Sequence, residues 1–503
     1  MTPQTLALAP RSKEEEALYV ECQIAEDELR RDVVTAPMIM ACGVACVSQF
    51  LCGYQTSVMN APEKYVFPGH TTAGWSLAVS AFAIGGPLGA VLGGYLANAR
   101  GRRSALLVDA VLFAAGGVLM TIAPSLAWLI AGRFVVGVAS GYSSVLVPIY
   151  LGELAPPVLR GTFGTCTQFA LVIGILASDV LALGIGGEDW RMLFGVTPLL
   201  AVLQLLCAPH LLESPRWLLD RDEASQLARD ALRKLYGFRD AEQVEHEVSH
   251  IVGANAVHKL AEHDASALQT DLGSAFGSIY NDDLARPLLA AAVALHVAQQ
   301  LCGINAVFYY STMFFEGVIA DPLVGTTLVA AVNVAATYVA VILMDHDCGR
   351  KTLLAGSAAG MLACCGVLTL ALRGTLSSDA AALGAVAGFV ACFELGLGPI
   401  PWLIVAEMFD AALVDAAQSI ACQVNWLANF VVGLSFPAIA AGLGEAWCFA
   451  PFGGVLLATL LFVVVRLPET RNASVAEIQD ALGGSPPGVD GADDARAALR
   501  GAA

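Results

Sequence analysis

Long apolar runs recur along most of this chain, and short polar segments separate them. A membrane-spanning helix needs about 20 mostly apolar residues. In hydrocarbon the backbone N–H and C=O groups have no water to bond, so each run is predicted to satisfy them internally as a helix. Twelve runs are long enough, which predicts an all-α membrane protein. They are residues 37–55, 72–97, 104–123, 126–150, 163–185, 192–212, 287–315, 323–345, 352–373, 379–409, 416–440 and 446–466.

One polar gap is much longer than the others and divides the runs into two sets of six. It is highly charged, and its stretch from Glu223 to Leu235 has helical periodicity. We expect a solvated helical linker, and the alternative is a latch that bridges the two halves. The predicted division is a tail at 1–36, a six-helix bundle at 37–212, the linker at 213–286, a second bundle at 287–467 and a tail at 468–503.

The distribution of basic residues tests this arrangement, because cytoplasmic loops of membrane proteins are enriched in Lys and Arg. With the N-terminus inside, the outer loops and outer helix ends hold only 4 of the 26 basic residues. A single misplaced span would destroy this asymmetry, so we expect an even number of spans and two cytoplasmic termini. The four outer residues are Lys64, Arg133, Arg191 and Arg373.

The amino-acid composition agrees with a membrane protein and argues against some classes of binding partner. Hydrophobic residues make up 57% and charged residues 14% of the 503 residues, with a mean hydropathy of +0.67. The net charge of −18 argues against a nucleic-acid partner, since polyphosphate would be repelled. Most of the thirteen cysteines lie inside apolar runs without zinc spacing, so we expect them to pack between helices. No nucleophile–base pair or metal cluster appears, so neither an enzyme nor a cofactor is expected.

Similar short motifs occur in both halves at offsets close to half the chain length. Such offsets indicate a duplicated six-helix unit, and duplicated units place a substrate site midway through the membrane between the halves. The pairs are Gly101-Arg102-Arg103 with Gly349-Arg350-Lys351, Glu153 with Glu407, and Glu213 with Glu469, which lie 248, 254 and 256 positions apart.

An ordered series of motifs from about residue 37 to 480 resembles the sugar porter branch of the major facilitator superfamily, most closely the facilitative glucose transporters. The resemblance implies two pseudo-symmetric six-helix bundles, a plasma-membrane location and facilitated diffusion of hexose by alternating access. The motifs are Gly53-Tyr54-Gln55-Thr56, Asn60-Ala61-Pro62, Gly101-Arg102-Arg103, Gly132-Arg133-Phe134, Tyr150-Leu151-Gly152-Glu153, Arg160-Gly161, Glu213-Ser214-Pro215-Arg216, the helix-seven run from Gln299 to Tyr310, Gly398-Pro399-Ile400-Pro401-Trp402, Asn425-Trp426 with Asn429, and Pro468-Glu469-Thr470.

Polar side chains within the spans are costly, so each is a candidate for function. A hexose is neutral and carries several hydroxyl groups, which the donors and acceptor of Asn and Gln side chains match. Gln300 and Asn305 lie five positions apart on partly different helix faces, so a break near Gly303 would help them to meet. A second break is predicted between Gly396 and Pro401. The intramembrane amides are Gln168, Gln299, Gln300, Asn305, Asn333, Asn425 and Asn429.

The resemblance also implies which residues contact sugar and which form gates. The alternative, structural roles are interhelical hydrogen bonds for the amides and signals of membrane topology for the basic residues. Tyr309 and Tyr310 match an outer lid. The sugar-contacting positions are Gln168, Gln299, Gln300, Asn305, Asn333, Glu394, Trp402 and Asn429. The cytoplasmic gate residues, expected to pair across the inner ends when the pore faces out, are Glu153, Arg160, Arg102, Glu407 and Arg350.

Two departures from the family pattern bear on mechanism. Proton-driven relatives carry an Asp where Gln55 stands, paired with the Arg at position 133. An amide cannot titrate, so Gln55 favours passive facilitation. Asp347 and Val414 stand where basic gate residues are expected, which predicts a weaker outward-facing lock.

Substrate and coupling leave alternatives open. The tripeptide from His296 to Ala298 resembles that of facilitators that accept both glucose and fructose, so glucose is expected and fructose is a candidate. The first alternative function is a proton-coupled sugar symporter. The second is a sugar receptor that signals without transport, but only 33 residues follow Thr470, which is short for a signalling tail.

Overall fold

A computed structural model shows a chain built from helices. It describes residues 34–266, 285–316, 319–345, 348–375, 379–409, 413–471, 473 and 475–482. In chain order its helices are α1 Ala36–Ser57, α2 Thr72–Arg100, α3 Arg102–Thr121, α4 Leu126–Leu154, α5 Arg160–Ile185, α6 Trp190–Leu206, α7 Pro215–Arg221, α8 Gln226–Tyr236, α9 Ala241–Ser266, α10 Ala285–Leu301, α11 Ile304–Phe315, α12 Pro322–Asp345, α13 Arg350–Leu372, α14 Asp379–Leu395, α15 Ile400–Met408, α16 Val414–Leu443, α17 Ala450–Val465 and α18 Val475–Ala481.

The twelve predicted spans correspond to these helices. Within the described ranges, ten segments are long and apolar enough to cross a membrane, and α6 and α17 are shorter apolar helices. Two spans are each built from two helices, α10 with α11 and α14 with α15. The exposed side chains of the spans include large apolar residues such as Val465 and Leu206, which suits helices that face lipid.

The first two spans begin at side-chain caps. The Thr35 hydroxyl accepts a hydrogen bond from the Met38 amide at the start of α1, and Thr71 does the same for Gly74 at the start of α2. Such caps satisfy amides that the first helical turn leaves unpaired. The threonine caps therefore define where α1 and α2 begin.

The described part of the polar gap folds into α7, α8 and α9. Helices α7 and α8 contact the first half, and α9 packs on α7 and α8. The Trp217 indole donates to the Asn98 carbonyl at 2.9 Å, and Arg221 donates to the carbonyls of Asn98 and Ala99. The Thr35 hydroxyl bonds the Leu235 carbonyl at 2.7 Å. We call the end of the bundle that carries these helices the linker side, and the opposite end the far side.

Matching caps recur in the two halves on the linker side. The Glu213 carboxylate accepts from the amide of Arg102, the first residue of α3, at 2.7 Å. The Glu469 carboxylate accepts from the amide of Arg350, the first residue of α13, also at 2.7 Å. A carboxylate is stabilised by the free amides and the dipole of a helix N-terminus. The repeated motifs in the sequence thus perform the same structural task.

The two halves meet along a seam of long helices. Helix α2 packs against α16, and α5 packs against α12. The Trp426 ring lies directly on Gly86, where a Cβ atom would come within 2.1 Å of the indole. The seam positions the functional side chains described next.

Candidate functional site

The seventh predicted span is broken at Gly303. Helix α10 ends just before this residue and α11 begins just after it, and Gly303 has a φ of +93°, a left-handed conformation that favours glycine. The break lets the Asn305 amide donate to the Gln300 side-chain oxygen at 2.5 Å. The structure therefore contains the break that the spacing of these amides predicts.

The tenth span is broken between α14 and α15, in the predicted Gly- and Pro-rich segment. The break frees the carbonyls of Leu397 and Gly398, and both accept from the Gln299 side-chain amide, at 2.9 and 2.6 Å. Unpaired backbone groups inside a membrane require such partners. Gln299 thus ties one broken span to the other.

Asn425 on α16 is the hub of a buried network of uncharged side chains. Its amide donates to the Gln299 oxygen at 2.6 Å and lies 3.2 Å from Nδ1 of His296. Its oxygen accepts from the Gln300 amide at 3.0 Å. All four side chains are at most 7% exposed. Polar networks of this kind hold a core in one arrangement when their members are paired.

Three further predicted residues lie across the seam from one another. Gln168 of α5 and Thr337 of α12 face the Glu394 carboxyl of α14, so an amide from the first half reaches an acid of the second. Asn333 of α12 is 1% exposed, and neither its side-chain nitrogen nor its oxygen has a partner. A buried amide with free donors and a free acceptor is suited to a hydroxylated ligand.

Trp402 and Asn429 complete the predicted sugar-contacting set. The Trp402 ring meets the His296 ring edge to face, with centroids 4.8 Å apart, and remains 37% exposed. Asn429 accepts a hydrogen bond from the Tyr309 hydroxyl at 2.9 Å. Trp402 therefore offers an accessible aromatic face, whereas Asn429 is held against the predicted lid.

The predicted lid tyrosines are buried on the far side. Tyr309 and Tyr310 are each 1% exposed, and the Tyr310 hydroxyl donates to the Gly433 carbonyl of α16 at 2.6 Å. Tyr310 itself has non-helical backbone angles within α11. The far-side part of the broken seventh span thus packs on α16.

Contacts between the halves are found on the far side. The Asn60 amide donates to the Ser311 hydroxyl at 2.6 Å, and the Asn60 oxygen accepts from the Thr312 backbone at 3.0 Å. Lys64 and Glu316 form an ion pair of 2.6 Å. Both side chains are well exposed, so the ion pair contributes at most about 1 kcal/mol. These contacts join the loop after α1 to α11 and close the far side.

The predicted gate charges on the linker side pair within each half. Arg102 contacts Glu153 at 2.7 Å in the first half, and Arg350 contacts Glu407 at 3.0 Å in the second. Arg160 has a buried Nε atom without a hydrogen-bond partner. In this state the four paired residues do not link the halves within the part of the chain that the structure describes. Their pairing across the inner ends stays a prediction for the opposite state.

Arg133 and Gln55 are in direct contact, as the family pattern implies for these positions. Arg133 is fully buried and donates to the Gln55 side-chain oxygen at 3.0 Å and to the Gln55 backbone carbonyl at 2.9 Å. It also donates to the carbonyls of Ala78 and Val79 and lies over the Phe82 ring, 4.8 Å from its centroid. Neutral dipoles and an aromatic face therefore replace a carboxylate partner.

Asn425 and His296 belong to this network but are not among the predicted sugar-contacting residues. Asn425 belongs to a motif used for the resemblance, and that motif was the available signal. Of the expected gate departures, Val414 begins α16, whereas Asp347 lies outside the described residues. No cluster of three or more metal-ligating side chains occurs in the described ranges.

These features define a class of protein. In the part of the chain that the structure describes, ten long apolar segments and two shorter ones form an integral, multi-pass membrane bundle. Uncharged hydrogen-bonding groups concentrate at the broken helices beside its seam. Irregular backbone at membrane depth is found where helices line a substrate site in transporters. The fold and the site are those of a membrane transporter for a neutral polar solute.

Comparison with known proteins identifies the family. The model for "Sugar (and other) transporter" matches residues 41–482, and the chain belongs to this family. It is 37% identical over 483 residues to solute carrier family 2, facilitated glucose transporter member 4 of Homo sapiens, covering 90% of this chain and 92% of that protein. It is 36% identical over 480 residues to member 3 of Canis lupus familiaris, covering 90% and 93%.

Solved structures of a xylose transporter share the fold. The xylose transporter XylE from E. coli, in a partially occluded inward open conformation, matches with a TM-score of 0.71 and 25% identity, over 86% of this chain and 100% of that one. The proton:xylose symporter XylE bound to 6-bromo-6-deoxy-D-glucose matches with a TM-score of 0.68 and 26% identity, over 88% and 98%.

Proposed function

We propose that this protein carries hexose, with glucose as the main substrate and fructose as a candidate, across a membrane by facilitated diffusion. The observation that carries the proposal is the network of uncharged amides around Asn425 and the two helix breaks. Such amides can exchange their bonds with one another for bonds to sugar hydroxyl groups. The relatives named facilitated glucose transporters support the same substrate class.

The chemistry of the site favours weak, reversible binding. Each hydrogen bond contributes about 0.5–1.5 kcal/mol net. Four to six such bonds, less the cost of ordering the sugar and side chains, leave about −4 to −6 kcal/mol, which corresponds to a roughly millimolar site. A transporter benefits from this weakness, because the sugar must also leave.

We place the linker side and both termini in the cytoplasm of a cell whose plasma membrane holds the protein. The basic residues concentrate on that side, which supports this orientation. Asn60 and the lid tyrosines hold contacts on the far side, which supports an inward-facing state. In the alternating-access cycle those contacts open, and Glu153, Arg160 and Glu407 then approach across the linker side.

Proton-coupled symport is the alternative function, and one comparison favours it. The structural neighbour XylE is named a proton:xylose symporter. Position 55 separates the two functions, because the Gln55 amide supplies Arg133 with an acceptor that cannot take up a proton in physiological conditions. Uniport is therefore the function that this pair supports.

Uptake of radiolabelled glucose into proteoliposomes tests the transport proposal. We expect uptake that a pH gradient does not drive, and a loss of about tenfold in Gln168→Ala and in Asn305→Ala, since each removes bonds worth about 1.4 kcal/mol or more. Unchanged uptake in both variants would refute the site assignment. Alkalinisation of a weakly buffered medium on sugar addition would establish symport instead.

Gln55→Asp is expected to make transport depend on protons. The new carboxyl would lie beside Arg133 and would change charge on protonation, so sugar exchange should acquire a pH dependence that the parent lacks at this position. The measurement is sugar-driven proton movement in weakly buffered vesicles. Gln55→Asn keeps the site uncharged and serves as the matched control. Equal proton movement in both variants would mean that position 55 does not set coupling.

A further inference from the structure

A second polar cluster lies inside the first half, and the sugar site does not use it. Asp109 of α3 is 0% exposed, and neither of its carboxyl oxygens accepts a hydrogen bond of ordinary geometry. The Tyr142 hydroxyl and the Ser140 hydroxyl of α4 are also buried without partners. Charged side chains inside membrane bundles are costly and mark functional sites.

The groups around Asp109 carry no positive charge. Helix α3 packs against α1, α2, α4 and α6. Ser48 of α1 faces the carboxyl, and Gln204 of α6 donates to the Ser48 hydroxyl at 2.9 Å. The titratable groups near Asp109 in the described residues are the Cys52 thiol of α1 and the Tyr142 phenol of α4. None of these is a cation at physiological pH.

This uncharged environment favours the protonated form of the Asp109 carboxyl over the ionised form. An ionised carboxylate buried without a cation is expensive, whereas a protonated carboxyl is neutral and can both donate and accept. The neighbouring hydroxyls of Ser48 and Tyr142 can take either role. Binding a proton therefore removes the uncompensated charge without any change of fold.

Two other acids are buried in the described spans, and each has contacts of its own. Asp179 of α5 accepts a hydrogen bond from the Ser57 hydroxyl. Glu394 is faced by Gln168 and Thr337 within the proposed sugar site. Asp109 instead sits roughly 10 Å along α3 from its start at Arg102 on the linker side. The side chains described beside Asp109 are Ser48, Cys52 and Tyr142, and these include neither Gln55 nor a predicted sugar-contacting residue.

We propose that Asp109 is a proton-binding site and that release of its proton slows sugar exchange. The carboxyl gives up a proton to water from the linker side and becomes a carboxylate that α1, α3 and α4 must accommodate. Because α1 also carries Gln55 and α4 carries Arg133, a shift of these helices changes the balance between transport states. The site regulates exchange by pH without requiring that a proton cross with each sugar, and so goes beyond the proposed function.

The first test measures radiolabelled glucose exchange by the full-length protein in proteoliposomes, with the same pH on both sides, from about pH 5 to about pH 9. We expect exchange to fall at least about threefold toward the alkaline end. Asp109→Asn mimics the protonated acid and should hold the acid-side rate throughout. Asp179→Asn is the matched control, a second buried acid of the same half, and should keep the parental decline. A parental profile in Asp109→Asn would overturn the proposal.

The second test reads the proton without sugar. Infrared difference spectra of the purified protein should show the carbonyl stretch of a protonated carboxylic acid at acid pH, its loss at alkaline pH, and its absence in Asp109→Asn. A band that this variant leaves unchanged would overturn the proton site. A titrating Asp109 band in a protein that exchanges no glucose would support the proton site and sink the proposed function.

Discussion

Replacing Gly303 with alanine is expected to lower sugar exchange by at least about tenfold. Gly303 has a φ of +93°, where an L-residue with a Cβ atom costs about 1–2 kcal/mol. A Cβ atom there would also lie 2.6 Å from the Phe452 ring. Both costs favour a straighter seventh span, in which Asn305 no longer reaches Gln300. Glucose exchange in proteoliposomes measures the loss.

Gly356→Ala is the matched control for this substitution. Gly356 lies within α13, and apart from its chain neighbours and the backbone of its own helix no heavy atom lies within 4 Å of the position of a Cβ, so exchange should be close to that of the parent. Adding Phe452→Leu to Gly303→Ala relieves the crowding but not the backbone strain, and we expect partial recovery. Parental exchange by Gly303→Ala alone would show that the broken helix is not needed for transport.

The sequence predicts the spans and their breaks well, because both depend on local chemistry. Apolar length sets the spans, and the segment from Gly396 to Pro401 cannot continue a helix. The helix ends show where local pattern fails. The predicted sixth span reaches residue 212, but α6 ends at Leu206 and a 3-10 turn at Ala208–His210 follows. Pro209 lies in this turn and has no N–H with which to continue the α-helical hydrogen bonds.

The partners of polar side chains are harder to predict, because they depend on which helix faces meet. Nothing in the pattern of α16 shows that Asn425, rather than Asn429, contacts Gln299 and Gln300. The pairing of Arg102 with Glu153 within one half likewise depends on the conformational state. The contacts of the linker are equally hard to predict. The sequence leaves a latch between the two halves as an alternative, whereas the described hydrogen bond of the Trp217 indole is to the first half.

Asn425→Leu is expected to lower glucose exchange by at least about tenfold. The substitution keeps an apolar side chain of similar size but removes the bonds to Gln299 and Gln300 and the contact with His296. A buried polar group left without its partner costs about 1–3 kcal/mol, and two or three such losses exceed the 1.4 kcal/mol that equals a factor of ten. The released amides should bond one another or the freed carbonyls in place of sugar.

Gln423→Leu separates loss of the network from loss of any amide on α16. Gln423 is two positions away and makes a single 3.3 Å bond to the Pro87 carbonyl across the seam, so its removal should change exchange by no more than about twofold to threefold. Thermal unfolding in detergent checks that both variants are folded. If Asn425→Leu is folded and exchanges glucose as the parent does, the network stabilises the bundle but does not bind sugar. An amide that binds sugar cannot be removed without weakening the sugar complex that crosses the membrane.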